Sequence, residues 1–101
     1  MGIEVQLRTA QGDIVGEVAD PKMLLTRATG SILPQTRLLK YLVPWGDAVF
    51  NQAQAEDLKR DIHDVLSTHA NTPLGAMLSD VMHLVEQLSS DAHLYLWFVG
   101  D

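Results

Sequence analysis

The chain of 101 residues contains no cysteine. This absence excludes disulfides, thiolate metal sites and cysteine nucleophiles, and it fits a reducing compartment, so we expect a cytoplasmic location. The longest apolar run, Leu94 to Val99, is far shorter than the ~20 residues that span a bilayer, which excludes a transmembrane helix. Neither Gly-x-Gly-x-x-Gly nor Gly-Lys-Ser/Thr occurs, so no phosphate-binding loop and no cofactor are predicted.

Basic residues are scarce, with 7 against 13 acidic ones and a net charge of −6, which disfavours binding to nucleic acid or anionic lipid. Residues 22 to 40 nevertheless contain four cations and no acid, so the rest of the chain carries −10. This segment could bind an acidic partner or an anion, or its side chains could lie opposite the protein's own carboxylates. The wide spacing of the charges favours the second interpretation. The four cations are Lys22, Arg27, Arg37 and Lys40.

The first part of the chain has strand periodicity. Ile3, Val5 and Leu7 alternate with polar residues, a turn follows at residues 11–13, and residues 14–18 resume an extended pattern. We therefore predict an antiparallel hairpin, with Gly16 marking a bulge.

The middle of the chain is less regular. Asp20 followed by Pro21 predicts a short helix that continues to about Ala28, with a loop over residues 29–36. Residues 38–43 are predicted as a third strand, which returns through a turn at residues 44–47 to form a second hairpin with residues 48–50.

Two long amphipathic helices are predicted in the second half. Asn51 and Gln54 form a capping-box pattern before the first helix, whose solvent-facing side is expected to include Asp61 and Asp64. Thr72 followed by Pro73 starts the second helix, which runs to about residue 88. Its wider apolar surface predicts burial against both the sheet and the first long helix.

Strands and helices are segregated along the chain, which favours a single α+β domain over residues 1–101. We predict an antiparallel sheet of four to five strands with two long helices packed on one face. The last strand, Leu94 to Val99, is apolar on both sides and is therefore expected inside the sheet. Its second side requires a cover, supplied either by residues 22–37 or by another chain.

The second long helix also carries possible metal ligands at spacings of three: Asp80, His83 and Glu86. Three ligands flanked by core residues are a weak metal signature, and a polar stripe on a solvated edge is the favoured interpretation. No metal site and no catalytic residue are predicted.

Aromatic residues are few, yet Tyr41, Trp45, Tyr95 and Trp97 exceed what one helical layer can cover. Trp45 lies in a predicted turn, where it either packs back onto the sheet, which we favour, or contacts a partner. Asp47 is expected to accept backbone hydrogen bonds within that turn.

Two segments carry a resemblance to a group of proteins. The segment Pro44-Trp45-Gly46-Asp47-Ala48-Val49-Phe50-Asn51 precedes the long helices, and His93-Leu94-Tyr95-Leu96-Trp97-Phe98-Val99-Gly100-Asp101 ends the chain. In both, the chain resembles small single-domain bacterial proteins of uncharacterised function. The resemblance implies a bacterial, cytosolic, stand-alone domain, and it implies no activity or catalytic residues.

These observations favour a non-enzymatic acidic domain that binds another protein, as a regulatory or immunity-like partner, or binds itself as a homodimer. The alternative is a small-ligand-binding or metal-assisted enzyme that uses Asp80 and His83. The candidate partner-binding residues are Tyr41, Trp45, Asp47, Tyr95 and Trp97.

Overall fold

A computed structural model describes residues 2–100 of the chain, and its fold is α+β, as predicted. Four strands, β1 (Glu4–Thr9), β2 (Ile14–Val18), β3 (Asp47–Phe50) and β4 (Leu94–Val99), form one antiparallel sheet. The strand order is β2-β1-β4-β3. The last strand therefore lies between β1 and β3, as its two apolar sides predicted.

The β1–β2 hairpin forms as predicted. Gly12 adopts a positive φ of 94°, which favours glycine, and its N–H donates to the Thr9 carbonyl at 2.9 Å. In the register, Leu7 lies opposite Gly16 and Arg8 lies opposite Ile14. Val15 is thus an extra residue, and the bulge lies next to the glycine that indicated it.

The two long helices are α2 (Ala55–His69) and α3 (Pro73–Ser90). A short 3₁₀ turn, Gln52–Gln54, leads into α2, and the Asn51 N–H donates to Gln54 Oε1 at 2.9 Å as a capping box requires. Thr72 Oγ1 accepts the Gly75 N–H at 3.0 Å and caps α3. The capping patterns therefore located both helix starts correctly.

The core lies between the sheet and the helices. Helix α3 contacts β1, β2 and β4 on one side and α2 on the other, which confirms the double burial predicted from its wide apolar surface. The rings of Phe50 and Phe98 pack edge to face at 5.8 Å beneath the sheet. Among the described residues, no helix has the length and apolarity needed to cross a membrane.

The short helix α1 (Leu24–Ala28) ends where predicted but begins later than Pro21. The Asp20 carboxylate is buried and accepts the N–H groups of Leu24 and Leu25 at 2.7 and 2.9 Å. Asp20 therefore caps the helix, as predicted, although residues 21–23 separate it from the first helical residue.

The predicted strand over residues 38–43 is wrong, and so is the second hairpin. This segment forms a 3₁₀ turn at Leu39–Tyr41, and β3 pairs with β4 instead. Leu39 and Leu42 are both buried, which is a spacing of three rather than the spacing of two in a strand. Leu39 and Leu42 therefore face the core from a turn.

The prediction that Asp61 faces solvent is also wrong. Its side chain is 1% exposed, and its carboxylate accepts the N–H groups of residues 37, 38 and 39 at 2.9, 2.7 and 3.2 Å. The guanidinium of Arg37 lies 3.6 Å from Asp61 and 3.4 Å from Asp64. Asp61 thus attaches the start of the 3₁₀ turn to α2. Its carboxylate supplies an acceptor for amides that regular secondary structure leaves unpaired.

Candidate binding surface

The sheet face opposite the long helices consists of three rows of side chains, set by the strand register, which we call the open face. The first row is Asp47, Val99 and Glu4, the second is Val49, Trp97, Gln6 and Glu17, and the third is Tyr95, Arg8 and Ile14. Val49 is 42% exposed and Ile14 is also exposed. Residues 22–37 leave Val49 and Ile14 exposed, since Leu25, Ala28 and Leu33 belong to the core and Met23 lines a cleft with Glu4 and Val99 at the first row.

Trp97, at the centre of the open face, is held by its neighbours. The guanidinium carbon of Arg8 lies 4.3 Å from the centroid of the Trp97 ring, a cation–π geometry. Gln6 accepts the Arg8 Nε–H at 2.9 Å and donates from Nε2 to Glu17 Oε2, also at 2.9 Å. This chain of contacts fixes the orientation of the indole before any partner arrives.

Beside Trp97 is a shallow recess of about 260 Å³ that we call the aromatic recess. Val49, Tyr95 and Trp97 supply its apolar wall, and the β1–β2 turn closes one end. The residues that line it are Thr9, Ala10, Gly12, Val49, Tyr95 and Trp97. Because its lining is mainly apolar and aromatic, it suits an apolar side chain.

Carboxylates outnumber cations on the open face. Glu4, Glu17 and Asp47 are exposed, whereas Arg8, the single cation in the three rows, is half-buried and engaged with Gln6 and Trp97. Two of the carboxylates, Glu4 and Asp47, flank Val99 in the first row. The field above the face is therefore negative.

Trp45 is 74% exposed, so the expectation that it packs onto the sheet is wrong. The turn around it lies against the end of β4, where the Gly100 N–H donates to the Gly46 carbonyl at 3.1 Å. A Cβ on Gly100 would clash with that oxygen, so backbone packs directly on backbone there. Tyr41 is also exposed, at 62%, with the Lys40 ammonium 5.2 Å from its ring.

The hydrogen bond of Asp47 differs from the one expected within its own turn. Its Oδ1 accepts the N–H of Gly100, the residue that follows β4, at 3.2 Å. Asp47, Tyr95 and Trp97 therefore share the open face, while Tyr41 and Trp45 lie outside its three rows.

The two tryptophans should differ in their contribution to stability. We expect Trp45→Ser to change the free energy of unfolding by less than about 0.5 kcal/mol, because most of the indole contacts only water. Trp97→Ser should cost about 1 to 2 kcal/mol, less than the loss for a full core aromatic. Urea unfolding of both variants would measure this. Equal losses would show that Trp45 is packed.

The candidate metal ligands do not converge. Asp80 and His83 line a shallow groove together with Glu17, but within residues 2–100 no three carboxylate or imidazole groups lie close enough to hold one metal ion. The groove therefore gives the metal-assisted alternative no further support.

The four cations of residues 22–40 do not act as one patch. Arg37 pairs with Asp61 and Asp64, as the favoured interpretation of this segment expected, and Arg27 donates to the Lys22 carbonyl at 2.9 Å. A larger cleft of about 590 Å³ against α2 contains Arg37 and Lys40, but Asp61 and Asp64 line it as well. Its charges balance, so it has no preference for an anion.

Sequence reasoning missed three residues of the open face that matter to its shape: Gln6, Arg8 and Val49. The alternation of β1 placed Gln6 and Arg8 on the solvent side together, and this was the available signal. Their contact with Trp97 depends on the β1–β4 register, which pairs residues about 90 positions apart.

The chain was compared with protein-family models, curated proteins and solved structures, and no match was found.

Proposed function

We propose that the protein is a non-enzymatic binding module of the bacterial cytoplasm, a regulatory or immunity-like domain whose open face recognises another protein. The observation that carries this proposal is the row Val49–Trp97–Gln6, in which Val49 is exposed and the half-buried Trp97 ring is held in place by Arg8, which the buried Gln6 holds in turn. Pre-oriented aromatic side chains bind partners with little loss of conformational entropy, and they are enriched at interface centres.

The size and the charge of the open face together favour a segment of a different protein over a folded second copy. The three rows span about 14 Å along the strands, and the four strands span about 14 Å across the sheet. The face therefore offers about 400 Å² once the reach of the side chains beyond these limits is included. A standard interface buries about 800 Å² per partner. Two copies packed face to face would also oppose carboxylate-rich surfaces, which further disfavours the homodimer.

Site-specific photo-crosslinking in cells tests this proposal. A photoreactive phenylalanine analogue at Val49 should give a covalent adduct with another protein, because Val49 borders the aromatic recess and is exposed. The same analogue at Gln87, which is exposed on α3 in the helical layer, is the matched control and should give none.

The mass of the adduct, and whether the adduct requires Trp97, distinguish the possible outcomes. A Val49 adduct that disappears when Trp97→Ser is added supports recognition by the open face. An adduct of twice the chain mass would indicate the homodimer. Equal adducts at Val49 and Gln87, or none at Val49, would contradict the proposal.

A further inference from the structure

We infer that the open face binds a short, extended, cationic segment of another protein, with an apolar side chain in the aromatic recess and a lysine or arginine beside Glu4 and Asp47. This inference rests on the proposed function and specifies the chemistry of the partner. The charge of the face, the spacing of its rows along β4 and its area each specify one property of the ligand.

Charge complementarity determines the sign of the ligand. Within the three rows, the exposed carboxylates of Glu4, Glu17 and Asp47 are opposed only by Arg8, whose guanidinium is stacked on Trp97. An acidic segment would meet three like charges, whereas a lysine or arginine gains attraction at each. The chain's net charge of −6 adds long-range attraction for a cationic partner.

The strand register determines the spacing within the ligand. Tyr95 and Trp97 of the recess lie four and two residues from Val99, whose row contains Glu4 and Asp47. These separations are about 14 and 7 Å along β4. An extended segment lying along β4 therefore places its cation two to four residues from the apolar side chain that fills the recess.

The sheet edges are less suited to the same ligand. Strand β2 carries the bulge at Val15, and β3 is only four residues long, and both features oppose the addition of another strand. A ligand on the face can be short, because about 400 Å² accommodates a few extended residues but not a folded domain.

Selection from a random dodecapeptide library displayed on phage tests this inference with the purified full-length chain as bait. The expected peptides combine an apolar residue with a lysine or arginine two to four positions away and few acids. The strongest peptide, synthesised with a fluorescent label, is then titrated by anisotropy at low salt and at roughly 1 M salt, where the screening length falls to about 3 Å. Affinity should fall with salt.

Charge-matched variants identify the site. Glu4→Gln with Asp47→Asn should weaken binding of that peptide about fivefold at low salt, as expected for two exposed ion pairs. Asp80→Asn with Glu86→Gln removes the same charge from exposed positions on α3 and should change affinity less than twofold. Both pairs are conservative, and the amide oxygen introduced by Asp47→Asn can still accept the Gly100 N–H.

Other results would overturn the inference. Enriched peptides that are acidic, binding that ignores salt, or equal losses in the two double variants would each contradict it. If no peptide is enriched while the Val49 adduct forms in cells, the partner is not recognised through a short cationic segment, and the proposed function stands without this ligand. If both fail, the proposed function fails as well.

Discussion

A chain that ends at Ala92 is expected to lose cooperative folding. Strand β4 pairs with β1 on one side and β3 on the other, so its removal splits the sheet and leaves β3 without a neighbour. It also removes Leu96 and Phe98, which are both buried. Core losses of about 2 to 5 kcal/mol each approach the whole stability of about 5 to 15 kcal/mol of a typical domain.

Circular dichroism and thermal melting would measure this loss. The control is Val99→Thr in the full chain, which changes an open-face position of the same strand and should keep a cooperative transition. A truncated chain that is soluble and melts cooperatively would show that β4 is not required for the fold.

The position of β4 was predictable because its sequence contains the reason for it. Six apolar residues in a row at a half-exposed edge would leave much apolar surface in contact with water, so the run indicated an interior strand. The same pattern predicted that its second side needs a cover, either from residues 22–37 or from another chain, and the described residues of this chain shield that side only in part. Trp97 and Tyr95 are half-buried, because Arg8, their neighbours in the sheet and the β1–β2 turn shield them in part.

Residues 38–43 show what the sequence could not determine locally. Leu38 to Val43 is compatible with a strand, and only a distant partner decides otherwise. That partner is Asp61, more than 20 residues further along the chain, whose carboxylate accepts three successive amides that a strand would have paired with a neighbour. Since a single charged residue within an amphipathic helix usually faces water, the helical pattern gave no sign of this role.

The candidate site was predictable to a similar degree. Tyr95 and Trp97 share a face by strand alternation alone, and Asp47 joins them because β3 pairs with β4. Trp45 and Tyr41 could not be placed, since their positions depend on the turn contacts at Gly100 and on the 3₁₀ turn.

Replacing the carboxylate of Asp61 should produce the largest loss among the polar substitutions. In Asp61→Ala the N–H groups of residues 37 to 39 lose their acceptor, and the Leu39 amide is buried. At about 1 to 3 kcal/mol for each unsatisfied group, with partial rescue by water at the more exposed ones, we expect a loss of about 3 to 5 kcal/mol in the free energy of unfolding. Urea unfolding monitored by circular dichroism would measure it.

Asp64→Ala is the matched control, because Asp64 also contacts the Arg37 guanidinium but is 65% exposed and accepts none of these amides. It should cost less than about 1 kcal/mol. Asp61→Asn should fall between the two, since it keeps one acceptor oxygen. Trypsin gives an independent readout: freed from α2, the segment should be cut after Arg37 and Lys40 much faster in Asp61→Ala than in Asp64→Ala. Equal stability and equal cleavage in the two alanine variants would mean that the 3₁₀ turn is held by Leu39 and Leu42 alone, with the buried carboxylate contributing no net stability.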